Sequence, residues 1–159
     1  MYNKKVMDES ARVALFGCTH NIGGPFGAAI VRNGEIISVR SNTVLQTNDP
    51  TAHAEVNAIR DASLKLNTYD LSNCELYATG YPCPMCLGAI MWSGIKKVYI
   101  SGMLEDAEKI GFKDKFIYET IDNLKNSCYN KNVLEMEFFD REIAQNLYEK
   151  YEKSSGTIY

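Results

Sequence analysis

The dipeptide Asn33-Gly34 constrains the fold of this chain more than any other local feature. Both residues tolerate positive φ, as a type I′ turn demands. They are flanked by Gly27-Ala-Ala-Ile-Val-Arg and Glu35-Ile-Ile-Ser-Val-Arg, so an antiparallel hairpin is predicted there. Around it, helical and strand patterns interleave. A first helix is predicted over about Lys4–Cys18, with Val6, Ala14 and Phe16 among its apolar positions, before a breaker at Gly23-Gly24-Pro25. Asn48-Asp49-Pro50-Thr51 opens a second helix, with Asp49 or Thr51 as its cap and Pro50 in its first turn. Val56, Ile59, Ala62 and Leu66 form its apolar stripe. Cys74–Thr79 alternates as a strand, Pro84–Ser93 reads as a short helix stopped by Gly94, and Lys97–Ser101 reads as a strand. A helical turn near Glu105–Ile110, a strand at Val133–Phe139 and a helix over about Arg141–Tyr151 complete the pattern. Interleaved helices and strands make an α/β layered domain with helices on both faces, and the hairpin makes its sheet mixed. A length of 159 residues fits one domain spanning 1–159.

Composition narrows the function. Lys and Arg total 17 and Asp and Glu total 20, a balance that disfavours a nucleic-acid grip. The excess sits in residues 101–159, which carry twelve acidic and eight basic groups. Five cysteines are too few, and odd in number, for a disulfide scaffold, so Cys18, Cys74 and Cys128 read as buried, reduced thiols. No run approaches the ~18 apolar residues of a membrane span, and the expected compartment is the cytoplasm.

Two segments carry the chemistry, each at a predicted helix start. Cys83 and Cys86, three apart, project their sulfurs to one side of a first turn, where the helix N-terminus favours the thiolate. His53 supplies a third donor, giving a Cys2His set for zinc. With no fourth Cys or His at motif spacing, the count leaves a position open for water. Glu55 lies on or beside the apolar stripe, where an ionised carboxylate is costly unless it has a partner. A carboxylate beside an activated water can move its proton to a substrate nitrogen. Together His-x-Glu and Pro-Cys-x-x-Cys match the zinc-dependent deaminase signature. A closed site completed by Cys74 or Cys18 is the non-catalytic alternative. His20 stands outside any motif and reads as structural.

From about Pro25 to Tyr118 the sequence resembles the cytidine deaminase-like superfamily and, within it, the bacterial guanine deaminases. The likeness rests on Pro25-Phe-Gly-Ala, Asn48-Asp-Pro-Thr-Ala-His-Ala-Glu, Pro82-Cys-Pro-Met-Cys-Leu-Gly-Ala-Ile and Gly111-Phe-Lys-Asp-Lys-Phe-Ile-Tyr. The resemblance implies a five-stranded mixed sheet between helices. It implies one Zn2+ per chain on His53, Cys83 and Cys86, with Glu55 as proton shuttle. It implies that Asn42 and Asp114 bond a purine base, that the Ala54 amide holds a substrate oxygen, and that Phe26 lies by the site. It also implies a homodimer whose C-terminal segment, residues 132–159, crosses to the partner and ends at Tyr159. The implied reaction is hydrolysis of guanine to xanthine and ammonia. Its rivals are deamination of a cytosine-type base, a triazine such as ammeline, a nucleoside or a tRNA adenosine.

On their own, Asn42 also reads as a turn former, Asp114 as part of a solvated Lys-Asp-Lys loop, Phe26 as core packing and Tyr159 as a frayed terminus. One position departs from the purine branches, which place Glu before Pro-Cys where this chain has Tyr81.

Overall fold

The computed structural model describes residues 1–125, 134, 136 and 139–154. They fall into two compact units, 1–118 and 119–159. In the first unit the hairpin forms as predicted. Strand β1 (Gly27–Arg32) pairs antiparallel with β2 (Glu35–Ser41), and Asn33 and Gly34 both take positive φ. Strand β3 (Cys74–Ala78) lies antiparallel on the other side of β1, and β4 (Lys97–Ile100) pairs parallel with β3. The order is β2-β1-β3-β4. The sheet is therefore mixed, but it has four strands among the described residues rather than five. The expected fifth, Val133–Phe139, falls on a segment where 133, 135, 137 and 138 lie outside them.

Alternation along the two central strands builds the layers. Ala29 and Val31 of β1 and Tyr77 of β3 meet Val6 and Met7 of helix α1 (Lys4–Thr19) on one face. On the other, Ala28, Ile30, Leu76 and Ala78 meet Ala54, Ala58 and Ala62 of helix α3 (Ala54–Leu66), with Ile90 of helix α4 (Pro84–Trp92). Alanines on α3 let that helix approach the sheet closely. Helices thus cover both faces, as the pattern predicts.

The start of the second helix needs correction. Asn48–Thr51 does not open it. A short helix α2 (Val44–Thr47) ends at Asn48 in the left-handed region, and α3 begins only at Ala54 with His53 as N-cap. Asp49 instead bonds the Thr51 amide at 2.8 Å and hydroxyl at 2.7 Å, closing a local turn. A side chain that caps helices also closes such turns, and Pro50 serves either.

Helix α5 (Leu104–Lys109) matches the turn read near Glu105–Ile110. Helix α6 (Asp114–Lys125) occupies a stretch for which no helix is predicted. Helix α7 (Arg141–Lys153), in the second unit, extends the predicted C-terminal helix by two residues. No helix among the described residues is long and apolar enough to cross a membrane.

Strand β2 is tied to α3 by charge. Arg40 meets Asp61 at 2.8 Å and Lys65 meets it at 2.9 Å. Burial raises the Asp61 carboxyl, but the two cations outweigh it and hold the group at about 2. A folded-state value below the unfolded one contributes stability that is present above ~4 and lost as pH falls toward ~2. Asp61→Asn is expected to lower the unfolding free energy by about 1–2 kcal/mol at pH 7. In urea melts, the gap from wild type should shrink steadily between pH 4 and pH 2. A gap that does not change with pH would show that charge is not its source.

Candidate active site

The strand directions bring the functional segments to one end of the sheet. Because β1 is antiparallel to both β2 and β3, the ends of β2 and β3 and the start of β1 lie together. The Asn42 amide donates to Phe26 O at 2.9 Å, and the Gly27 amide donates to Thr79 Oγ1 at 3.0 Å. The carboxyl end of the strands is where open α/β sheets bind ligands.

Two helices start at this end. His53 caps α3 and Cys83 caps α4, both with extended backbone, and the His53 side chain makes no cap hydrogen bond to its own helix. Each cap side chain turns toward the other helix. The His53 Nδ1 lies 3.6 Å from Cys83 Sγ and 3.5 Å from Cys86 Sγ, and all three donor atoms fall within 4.8 Å of one another. Sulfur and nitrogen ligands of a tetrahedral zinc, bound at ~2.3 and ~2.1 Å, sit about 3.6 Å apart. The donor set therefore fits one zinc ion in both chemistry and spacing. Among the described residues, neither Cys74 nor Cys18 joins the cluster. Cys74 is buried in the core beneath α3, and Cys18 Sγ bonds Leu15 O. His20 is not part of the cluster: it is exposed, with its Nδ1 2.9 Å from Phe16 O and its ring stacked on Phe16.

The cluster is electrostatically tuned. Hydrogen bonds from Cys86 and then His53 pull the Cys83 thiol down, which favours the thiolate that a metal needs. Cys86, donating to Cys83 and buried, is pushed up in turn. The bond to Cys83 raises the His53 imidazole.

Glu55 sits beside this group at 7% exposure, on the buried side of α3. Burial raises its carboxyl, the Cys83 charge adds to the effect, and His53 opposes it. A carboxyl moved toward neutrality in a site of this kind is suited to exchanging protons. His53 and Glu55 are two residues apart and would diverge on a regular helix face. They converge here because His53 stands outside the helix.

Asn42, Ala54 and Phe26 lie at the same end of the sheet, and Asp114 is within electrostatic reach of Cys83 and His53. Asn42 is buried, and its Oδ1 accepts from the Gly24 amide at 3.2 Å and the Val44 amide at 3.1 Å. Two backbone donors fix the oxygen, which leaves the Nδ2 amide as the free donor face. Gly23 makes room for this arrangement, since a Cβ there would lie 2.2 Å from Asn42 Oδ1.

Ala54 is the first residue of α3, where backbone N–H groups have no partner inside the helix. Phe26 is half-buried against the inner core, with its ring edge-to-face with Phe112 at 4.8 Å. Asp114 begins α6, and burial with the nearby Cys83 charge raises its carboxyl. Tyr159 lies outside the described residues.

Two further residues escape sequence reasoning. Tyr118 donates its hydroxyl to Pro82 O at 2.6 Å, against the loop that carries Cys83. It stands four after Asp114 on α6, a same-face spacing that would have pointed to it had the helix been recognised. Asn57, on α3, is the other; no local motif marks it. Tyr81 and Tyr118 line an open groove of about 290 Å³ with Met103, Leu104 and Glu105.

Known proteins match this chain in both sequence and structure. Residues 2–102 match the family model for the cytidine and deoxycytidylate deaminase zinc-binding region. The chain is 48% identical over 122 residues to guanine deaminase of Bacillus subtilis, covering 77% of this chain and 78% of that one. It is 52% identical to the tRNA-specific adenosine deaminase of Aquifex aeolicus over 79 residues, half of this chain and 52% of the relative. The crystal structure of the Bacillus subtilis guanine deaminase superimposes with a TM-score of 0.74 over the same shares of both chains. That of guanine deaminase from Nitrosomonas europaea superimposes at 0.67 with 32% identity, over 71% of this chain and 65% of that one. By that family match and the 48% identity over most of both chains, the chain belongs to the cytidine and deoxycytidylate deaminase family of zinc-binding enzymes.

Proposed function

We propose that this protein hydrolyses guanine to xanthine and ammonia, with His53, Cys83 and Cys86 holding zinc and Glu55 moving the protons. The observation that carries the reading is a buried carboxyl beside a cluster of three metal donors. Zinc bound there supplies Lewis acidity, which makes water nucleophilic at neutral pH. Glu55 accepts a proton as the water oxygen adds to C2 and passes it to a ring nitrogen of the base. It then takes the remaining proton of the added oxygen and delivers it to the amino group, so that the C2=O bond forms as the C2–N bond breaks and ammonia leaves. Its raised carboxyl suits both the accepting and the donating role.

Asn42 turns its Nδ2 toward an acceptor on the base, and the Ala54 amide donates to a substrate oxygen. Asp114 accepts from the base's N–H groups, and Phe26 with Phe112 offers an apolar wall to its flat face. The similarity to tRNA-specific adenosine deaminases favours a second reading with the same chemistry. Against it stands the acidic excess of residues 101–159, where a phosphate-binding surface would be basic.

Chemistry that needs free thiolates fits a reducing compartment, in line with a cytoplasmic enzyme of purine metabolism. We also propose that the whole chain acts as one catalytic domain in a homodimer, with residues 132–159 exchanged and Tyr159 reaching the partner's site. Ile143, Leu147 and Tyr151, spaced by four, give α7 an apolar stripe suited to such a contact. Light scattering should then return twice the monomer mass of 17.9 kDa, and a monomer at micromolar concentration would contradict the exchange.

The reaction is tested by ammonia release from guanine, adenine, cytosine, their nucleosides and ammeline. Guanine should give the highest kcat/KM. Glu55→Gln should retain zinc and lose at least about 10³-fold in kcat. An active Glu55→Gln protein would overturn the role of Glu55, and a preference for adenosine in tRNA with salt-dependent binding would overturn the substrate.

A further inference from the structure

Asn57 lies on α3, one turn after His53, and takes no part in the chemistry described above. Its single amide nitrogen donates to three oxygens: Ser41 O at 3.0 Å, Thr43 Oγ1 at 2.9 Å and Ala52 O at 3.2 Å. Ser41 and Thr43 are the residues on either side of Asn42, and Ala52 directly precedes His53. One side chain thus links both flanks of the proposed base reader to the residue before a metal donor. The Thr43 amide also donates to Ala52 O at 2.9 Å, which closes the segment between them into a loop whose neck Asn57 occupies. The Asn57 amide itself bonds His53 O at 2.9 Å, so the side chain is anchored to the same turn that carries Glu55.

We infer that Asn57 is a positioning residue that sets the distance between Asn42 and the His53–Glu55 turn, and so fixes where the base sits relative to the carboxyl that serves it. The inference rests on the reading of Asn42 as a contact to the base. Ala52 is buried while Ser41 and Thr43 are half-buried, so loss of the donor leaves poorly solvated acceptors that relax by moving apart. A displaced Asn42 would loosen the base while the metal is retained, because Cys83 and Cys86 are held by α4 and the backbone amide of residue 57 still donates to His53 O.

Two readouts on the full zinc-loaded chain test this. The first needs no substrate. In Asn57→Ala, amide hydrogen exchange at Asn42 and Thr43 should accelerate at least tenfold, with zinc content and exchange in β1 and β3 unchanged. Asn57→Ser keeps one hydroxyl donor and should fall between Asn57→Ala and wild type, and it carries the test if Asn57→Ala folds poorly. The second readout is the dissociation constant for guanine, measured by calorimetry in the turnover-deficient Glu55→Gln background. Asn57→Ala should raise it about tenfold there, but less than twofold when Asn42 is already alanine. Unchanged exchange at Asn42 and Thr43 would overturn the inference, as would additive effects of Asn57→Ala and Asn42→Ala on binding. Failure of the guanine reading shows itself differently. The Glu55→Gln parent then binds no guanine while the exchange result stands, and the cycle is run with the heterocycle that releases ammonia.

Discussion

Two helix N-termini meeting at one end of a mixed sheet are the constraint on which the site depends. β2 and β3 must run in the same direction for their ends to lie together: the Asn33-Gly34 turn makes β1 antiparallel to β2, and β3, reached through α3, pairs antiparallel on the other side of β1. α3 and α4 then begin at that end with His53 and Cys83 as their caps. Cap positions matter because their side chains are not committed to a helix face. From them an imidazole and a thiolate thirty residues apart approach to 3.6 Å. The open backbone amides of both helix starts favour the negative charge that thiolates and a substrate oxygen bring.

The same packing explains why Glu55 is effective. Its helix lies on Ala28, Ile30, Leu76 and Ala78, and small residues at Ala54, Ala58 and Ala62 bring the backbone down onto them. The first turn is buried with the rest, so the carboxyl sits in a region where its charge is costly and its proton is retained more readily. The acid–base behaviour of the site thus follows from how closely α3 approaches the sheet.

Much of this is legible in the sequence. The hairpin, the strand before Gly80, the Pro84 helix start and the Gly94 stop rest on turn and cap chemistry acting within a few residues, and they appear where that chemistry puts them. The metal donors were found for a similar reason, since few residue types bind zinc and the chain has only two histidines.

The errors have physical causes. Asp49 and Thr51 carry the same oxygens that cap helices, and nothing local distinguishes a cap from the turn they make instead. Helix α6 was hidden because Lys113-Asp114-Lys115 looks solvated, although Ile117, Ile121 and Leu124 recur at helical spacing beyond it. Asn57 was invisible, because its three acceptors come from segments that only the folded chain brings to it. The groove beside Tyr81 belongs to this class as well: its walls come from β3's outgoing loop, α5 and α6.

The proposed catalysis depends on a zinc ion held by three protein atoms with one position left for water. X-ray absorption at the zinc edge of the purified protein examines that directly. The expected first shell has two sulfurs near ~2.3 Å, one imidazole nitrogen near ~2.1 Å and one oxygen from solvent. A third sulfur in that shell would mean a closed structural site and would contradict the account.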